Sequence, residues 1–189
     1  LSLDNDEDVS AIAKHCAKSV VVVTTAGATL TPWRDDVDSI LVHFYPGVAM
    51  AFSTMDVLKG DVNPSGHLPI TFPVVENQEG MTEAQYPGLD GGLNVSYSET
   101  FAFGYRWYHL NNQSPAYWFG HGLSYTSFGI NGAEWSSDNT RVTAKFTNTG
   151  KVAGQMVPQL YLQLDESCDS ALWKLNGFDK VFLEAGETV

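Results

Sequence analysis

Hydrophobic spacing divides the chain into stretches of different character. Between Asp4 and Lys18, the residues Val9, Ile12, Ala13, Cys16 and Ala17 recur at helical spacing and predict a helix with one buried stripe. Asp4, Asp6, Glu7 and Asp8 crowd its first turn and Lys14 and Lys18 its last, the polarity the helix macrodipole favours. Ser19 to Thr24 is a β-branched run without alternation, expected of a strand covered on both faces in a parallel sheet. Ile40 to Phe44 predicts a second such strand, and a short helix follows from about Ala49 to Leu58, ended by Gly60. Helices and strands joined by short connections are α/β architecture.

The pattern changes after Gly60. Leu68-Pro69-Ile70-Thr71-Phe72-Pro73 reads as an extended segment whose prolines keep it at an edge or a crossing. From Val74 to about Gln113 there is little periodicity, and so long a loop is expected to serve as a functional or bridging segment. Beyond Tyr125, Val142, Ala144 and Phe146 alternate with Arg141, Thr143, Lys145 and Thr147. Leu160, Leu162 and Leu164 alternate with polar neighbours, and Val181 with Leu183 makes another short strand. Asn148-Thr149-Gly150 and Asn176-Gly177 read as turns, and 186–189 as the start of a further strand. This is a β-sandwich pattern, but only about four strands are readable against roughly seven in a complete one.

Composition narrows the partners. With 189 residues, 43% of them hydrophobic, the chain can bury a core, and 17% charged residues exclude a disordered acidic tail. Ten Lys and Arg against 22 Asp and Glu leave a charge of −12, which argues against nucleic acid and anionic membranes. No apolar run approaches the roughly 18 residues of a membrane span. Cys16 and Cys168 are too few for a cysteine-rich zinc site and leave the redox compartment open. A chain opening at Leu1 is expected to be processed, trimmed or a piece of something longer.

Collinear motifs carry more than composition does. Tyr45-Pro46-Gly47 and the run from Asp56 to Pro73, with Gly60-Asp61-Val62-Asn63-Pro64-Ser65-Gly66 at its centre, resemble the carboxyl part of the α/β sandwich domain of glycoside hydrolase family 3. Phe103-Gly104-Tyr105-Arg106-Trp107-Tyr108 is similar to that family's GYRWY segment. The run Phe119-Gly120-His121-Gly122-Leu123-Ser124-Tyr125-Thr126 resembles its lead-in to a fibronectin type III-like domain, and 175–181 a later strand of that domain. The resemblance implies an α/β part over 1–75, an aromatic-rich bridge over 76–118 and a truncated fibronectin type III-like part over 119–189. It also implies a parent that hydrolyses terminal β-linked sugars with retention, using two carboxyl groups about 5 Å apart. In the family the nucleophilic Asp lies in a barrel domain, and the acid/base Glu lies just before a segment that looks like Leu1-Ser2-Leu3. No catalytic residue is therefore expected here, nor any metal or cofactor. The implied partners are the rest of the parent chain, its barrel domain, or another chain completing the sheets, with carbohydrate as a further candidate. The resemblance favours an extracellular or secretory setting. Gly47-Val48-Ala49-Met50-Ala51 departs from the family's usual Gly-Gln-Glu-Gly-Gly.

On that background, few individual residues point to chemistry. Asp56 and Asp61 read as helix-end and turn acids, and Glu76, Glu79 and Glu83 as solvated loop acids. His15 and Cys16, adjacent on a helix, point about 100° apart and cannot clasp one ion, so Cys16 reads as a core thiol. His121 between two glycines reads as a tie at a tight backbone crossing. Tyr105, Arg106, Trp107 and Trp118, within a dense aromatic group, suit interface packing better than a sugar platform. Asn94-Val95-Ser96 and Asn112-Gln113-Ser114 are glycosylation patterns, the second disfavoured by Pro115.

Overall fold

A computed structural model describes residues 5–163, 165 and 173–189. Cys168, Leu164 and Leu1-Ser2-Leu3, each of which carries an expectation above, lie outside the described residues. The chain is a small mixed α/β protein with three short α-helices and small sheets among the described residues. Among them, no helix is long and apolar enough to cross a membrane. The chain divides into two compact units, each built from separate pieces: 1–47 with 68–121 and 163–173, and 48–67 with 122–162 and 174–189.

The first unit opens with α1, Asp6–Ala13. It is shorter than the hydrophobic spacing predicts, because Lys14 closes it and the N–H groups of His15 and Cys16 turn back onto Ile12 and Ala13. That turn takes Cys16 off the apolar stripe. It is an exposed free thiol, correcting its expected place in a core, and Ile12 is 63% exposed. Asp6 accepts the indole N–H of the buried Trp33 (2.7 Å), and Ser10 donates to Asp36 (2.8 Å), so α1 is tied to the segment that follows the first strand. β1 (Val20–Thr24) and β2 (Ser39–His43) pair in parallel, Val22 opposite Leu41. Val23 is 3% exposed, whereas Val20 and Val22 face solvent, so β1 is covered on one side only, not on both. The 68–73 segment does not form a named strand. Its backbone pairs with 116–121 through Leu68 N–H to His121 C=O (2.8 Å) and Phe72 N–H to Tyr117 C=O (2.8 Å). Within the long loop the chain forms α3, Tyr105–Leu110, too short for its spacing to mark a helix.

The second unit contains α2 (Met50–Lys59), ended by Gly60 in the left-handed conformation (φ 82°), where glycine carries no Cβ penalty. β3 (Phe128–Trp135) and β4 (Val142–Asn148) form an antiparallel pair, and β5 (Gly154–Met156) pairs antiparallel with β8 (Val181–Leu183). β6 (Gln159–Gln163) lies beside β7 (Trp173–Phe178). Asn176-Gly177 is therefore strand and not a turn, while β3 and β5 escape the alternation pattern. On β4 the alternation holds, with Thr143 and Lys145 exposed and Val142, Ala144 and Phe146 partly covered. Thr188 bridges Thr147, and Phe146 and Val189 exchange both backbone hydrogen bonds (2.8 and 3.0 Å), which adds an extended segment to β4. Leu183 and Asn148 are fully buried.

Candidate functional site: an aromatic cluster around α3

Helix α3 is six residues long, and four of them are aromatic or imidazole side chains. Gly104 caps it with φ 55° and ψ −139°, a conformation that suits glycine, and no side chain from its own end caps it. The Glu79 carboxylate instead accepts the Gly104 N–H, placing an anion where the helix leaves its first amides unpaired. Glu79 is half-buried, and burial raises it above the ordinary carboxylate value, with the nearby Glu99 charge adding to the rise and the Gly104 bond opposing it. It is thus not the solvated acid its surroundings in the sequence suggest. Glu99 moves the other way, held down chiefly by the Gln85 amide that donates to it at 2.8 Å.

Tyr108 is the centre of the cluster, 1% exposed. Its hydroxyl donates to Gln78 (3.3 Å), whose same side-chain oxygen accepts Val74 N–H (2.7 Å). Burial, then the Glu79 charge, push the phenol up to about 12. Trp107 meets Tyr108 edge-on at 5.2 Å, and Trp118 meets it at 6.0 Å and 73°. His109 stacks between Trp118 and Trp173, at 5.2 and 5.5 Å. Tyr105 stacks on Phe119 at 5.2 Å. The Arg106 guanidinium lies over the Phe103 and Tyr105 rings at 5.3 and 5.5 Å, within cation–π range, and donates to Phe101 C=O (3.3 Å). His121 packs against Tyr117 at 5.2 Å, and Tyr117 against the fully buried Phe72.

Tyr105, Arg106, Trp107, Trp118 and His121 thus all make ring contacts inside the first unit. Asn94 is exposed beside a bridge to Leu89 and its amide bonds Asp90, while Asn112 is exposed just after α3 at φ 50°. Asp61 pairs with Lys59 at 2.9 Å on the surface. Among the described residues, no three His, Cys, Asp or Glu side chains gather to hold a metal.

The motif that precedes this unit's 68–73 segment belongs to the second unit. There the Asn63 side chain accepts from Ser124 Oγ and Tyr125 N–H (both 2.9 Å) and donates to Ala153 C=O (3.0 Å). Gly122 passes so close to Gly66 and His67 that a Cβ there would collide with both. The asparagine of one motif and the glycine of another are therefore fitted to each other. The model of the glycosyl hydrolase family 3 C-terminal domain matches residues 1–125, spanning both.

The chain belongs to glycosyl hydrolase family 3.

Solved family 3 structures superpose closely. The β-glucosidase DesR from Streptomyces venezuelae, in complex with D-glucose, is 39% identical, with a TM-score of 0.87 over 98% of this chain and 24% of that one. The β-glucosidase 3B of Thermotoga neapolitana, in complex with glycerol, reaches 0.91 at 33% identity, over 100% of this chain and 28% of that one. The thermostable β-glucosidase B of Acetivibrio thermocellus is 38% identical over 186 residues, 95% of this chain and 24% of that protein. The chain thus spans about a quarter of the length of these family 3 relatives.

Proposed function

We propose that this chain is the carboxyl-terminal, non-catalytic portion of a retaining family 3 β-glucosidase that removes terminal β-linked sugars. In this reading residues 1–75 close an α/β sandwich, 76–118 form the aromatic bridge and 119–189 begin a fibronectin type III-like module. The two compact units group the residues differently, setting 48–67 with the β-strands, so the proposed division follows the motifs. The observation that carries the reading is that relatives named β-glucosidases align with nearly all of this chain over only a quarter of their own length. The perturbed acids agree with it: Glu79 is occupied by Gly104 N–H and Glu99 by Gln85, so both serve as structural acceptors. Tyr105, Arg106, Trp107, Trp118 and His121 then act in packing. In a secretory setting Asn94 is the better placed glycan acceptor. The purified chain should not turn over aryl β-glucosides, and activity that co-purifies with it and is lost in Glu79→Gln would overturn the reading.

A second reading, a binding or assembly subunit, is favoured by the exposure of Tyr45, Val48 and Phe52. Light scattering separates the two: a stable monomer disfavours obligate partnering, and a stoichiometric complex supports it. Saccharide binding that weakens in Trp107→Ala or Trp118→Ala would instead assign the aromatic cluster to carbohydrate.

A further inference from the structure

We propose that Asn131 is a site of spontaneous deamidation, closing onto the backbone nitrogen of Gly132. Two Asn-Gly pairs stand in described strands, Asn131-Gly132 in β3 and Asn176-Gly177 in β7. In the first, the pairing with β4 slips between Asn131 and Glu134, so that Gly132 and Ala133 together oppose a single residue. Gly132 takes φ 61°, the left-handed glycine of a β-bulge. Nothing lies within 4 Å of where a Cβ on Gly132 would stand, so no neighbour packs against that side of the peptide. Asn131 and Gly132 are both exposed, and among the described residues the Asn131 amide makes no hydrogen bond. Asn63, Asn77, Asn94, Asn111 and Asn148, by contrast, have their amides engaged. Asn176 lies within β7, the following Gly177 is outside the left-handed region, and Leu160 Cβ stands 3.9 Å from where a Cβ on Gly177 would be.

The chemistry needs only water. The Gly132 nitrogen attacks Asn131 Cγ, the bond from Cγ to the side-chain nitrogen breaks, and ammonia leaves carrying the proton given up by the Gly132 N–H. A five-membered imide results. Water then opens it at Cγ to give aspartate, or at the main-chain carbonyl to give isoaspartate, with no change of oxidation state. Glycine's missing Cβ leaves the attack unhindered, and the bulge frees this peptide from ladder geometry that would hold it extended. Aspartate at this position would face Lys145, its cross-strand partner in register, and form an opposite-charge pair.

The test is to age the intact chain in mildly alkaline buffer and map aspartate and isoaspartate by peptide mass spectrometry. The same chain held unfolded in urea serves as reference. In the unfolded chain Asn131 and Asn176 should react at similar rates. In the folded chain Asn131 should react severalfold faster than Asn176 and give rise to a more acidic species on ion exchange that Asn131→Ser lacks. Equal rates in the folded chain, or an Asn131 that reacts only when unfolded, would overturn the proposal.

Discussion

The side-chain oxygen of Asn63 accepts the backbone N–H of Tyr125, 62 positions further along the chain, at 2.9 Å. The Tyr125 hydroxyl in turn donates to Val57 C=O at 2.7 Å, so the two residues clasp one stretch of the second unit at two points. Replacing Asn63 by Ala leaves Tyr125 N–H, Ser124 Oγ and Ala153 C=O without their partner. At about 1 kcal/mol for each lost bond, the loss should reach about 3 kcal/mol. Urea denaturation of Asn63→Ala measures it, and a midpoint equal to wild type would contradict this role.

Close backbone approach makes a second, separable prediction. At Gly122 a Cβ would strike the Gly66 carbonyl and the His67 ring, and at Gly150 it would meet Thr126 Oγ1 and Ser127 N. Gly122→Ala and Gly150→Ala should each cost about 1–3 kcal/mol, as overpacking does. Gly27 has nothing within 4 Å of a Cβ, and its Ala variant should stay within about 0.5 kcal/mol of wild type. Thermal melts of the three variants side by side decide whether contact or composition matters.

Tyr108 predicts both a packing loss and a titration. Tyr108→Ala should destabilise by about 3–5 kcal/mol, the range for losing a buried aromatic side chain, whereas Tyr108→Phe should lose only about 1 kcal/mol with the Gln78 bond. The folded phenol holds its proton up to about 12, while an unfolded tyrosine releases it near 10. Stability should therefore fall as pH rises from about 10 to about 12, and Tyr108→Phe should lack that component. Ultraviolet titration of tyrosinate in both proteins provides the check.

Glu79 should leave its mark at acidic pH. The folded state keeps its proton to higher pH than the unfolded chain, whose carboxyl titrates near 4.5. More protons are then bound in the folded state, and stability falls as pH rises from about 4.5 through the raised value. Glu79→Gln should flatten this slope while retaining an acceptor for Gly104 N–H. Urea midpoints measured across that range for both proteins give the test, and parallel curves would assign the slope to other groups.

Periodicity revealed those elements whose burial is one-sided and regular. β4 alternates cleanly because Thr143 and Lys145 face water while Val142, Ala144 and Phe146 are partly covered. β3 hides because its last six residues are all exposed, Ile130 and Trp135 included, so no apolar face marks it. Helix α3 is too short for a periodic signal, and its acidic cap comes from Glu79, 25 positions before Gly104. Helical spacing also places Cys16 on a stripe that α1 abandons three residues earlier. The aromatic cluster was visible as composition, but the pairings that arrange it, such as His109 between Trp118 and Trp173, join residues far apart in the chain. Asn63 is legible in the sequence as part of a motif, and only the fold shows that its partners are Ser124, Tyr125 and Ala153.

The interleaving of the two units bears on how the chain is made. The first draws on 163–173 and the second on 174–189, yet the second already claims 48–67. Neither unit can be finished on the ribosome before most of the other has been made. As synthesis proceeds, 48–67 emerges long before the segments around Ser124 and Ala153 that will hold Asn63, and its exposed Val48 and Phe52 stay available to wrong partners meanwhile.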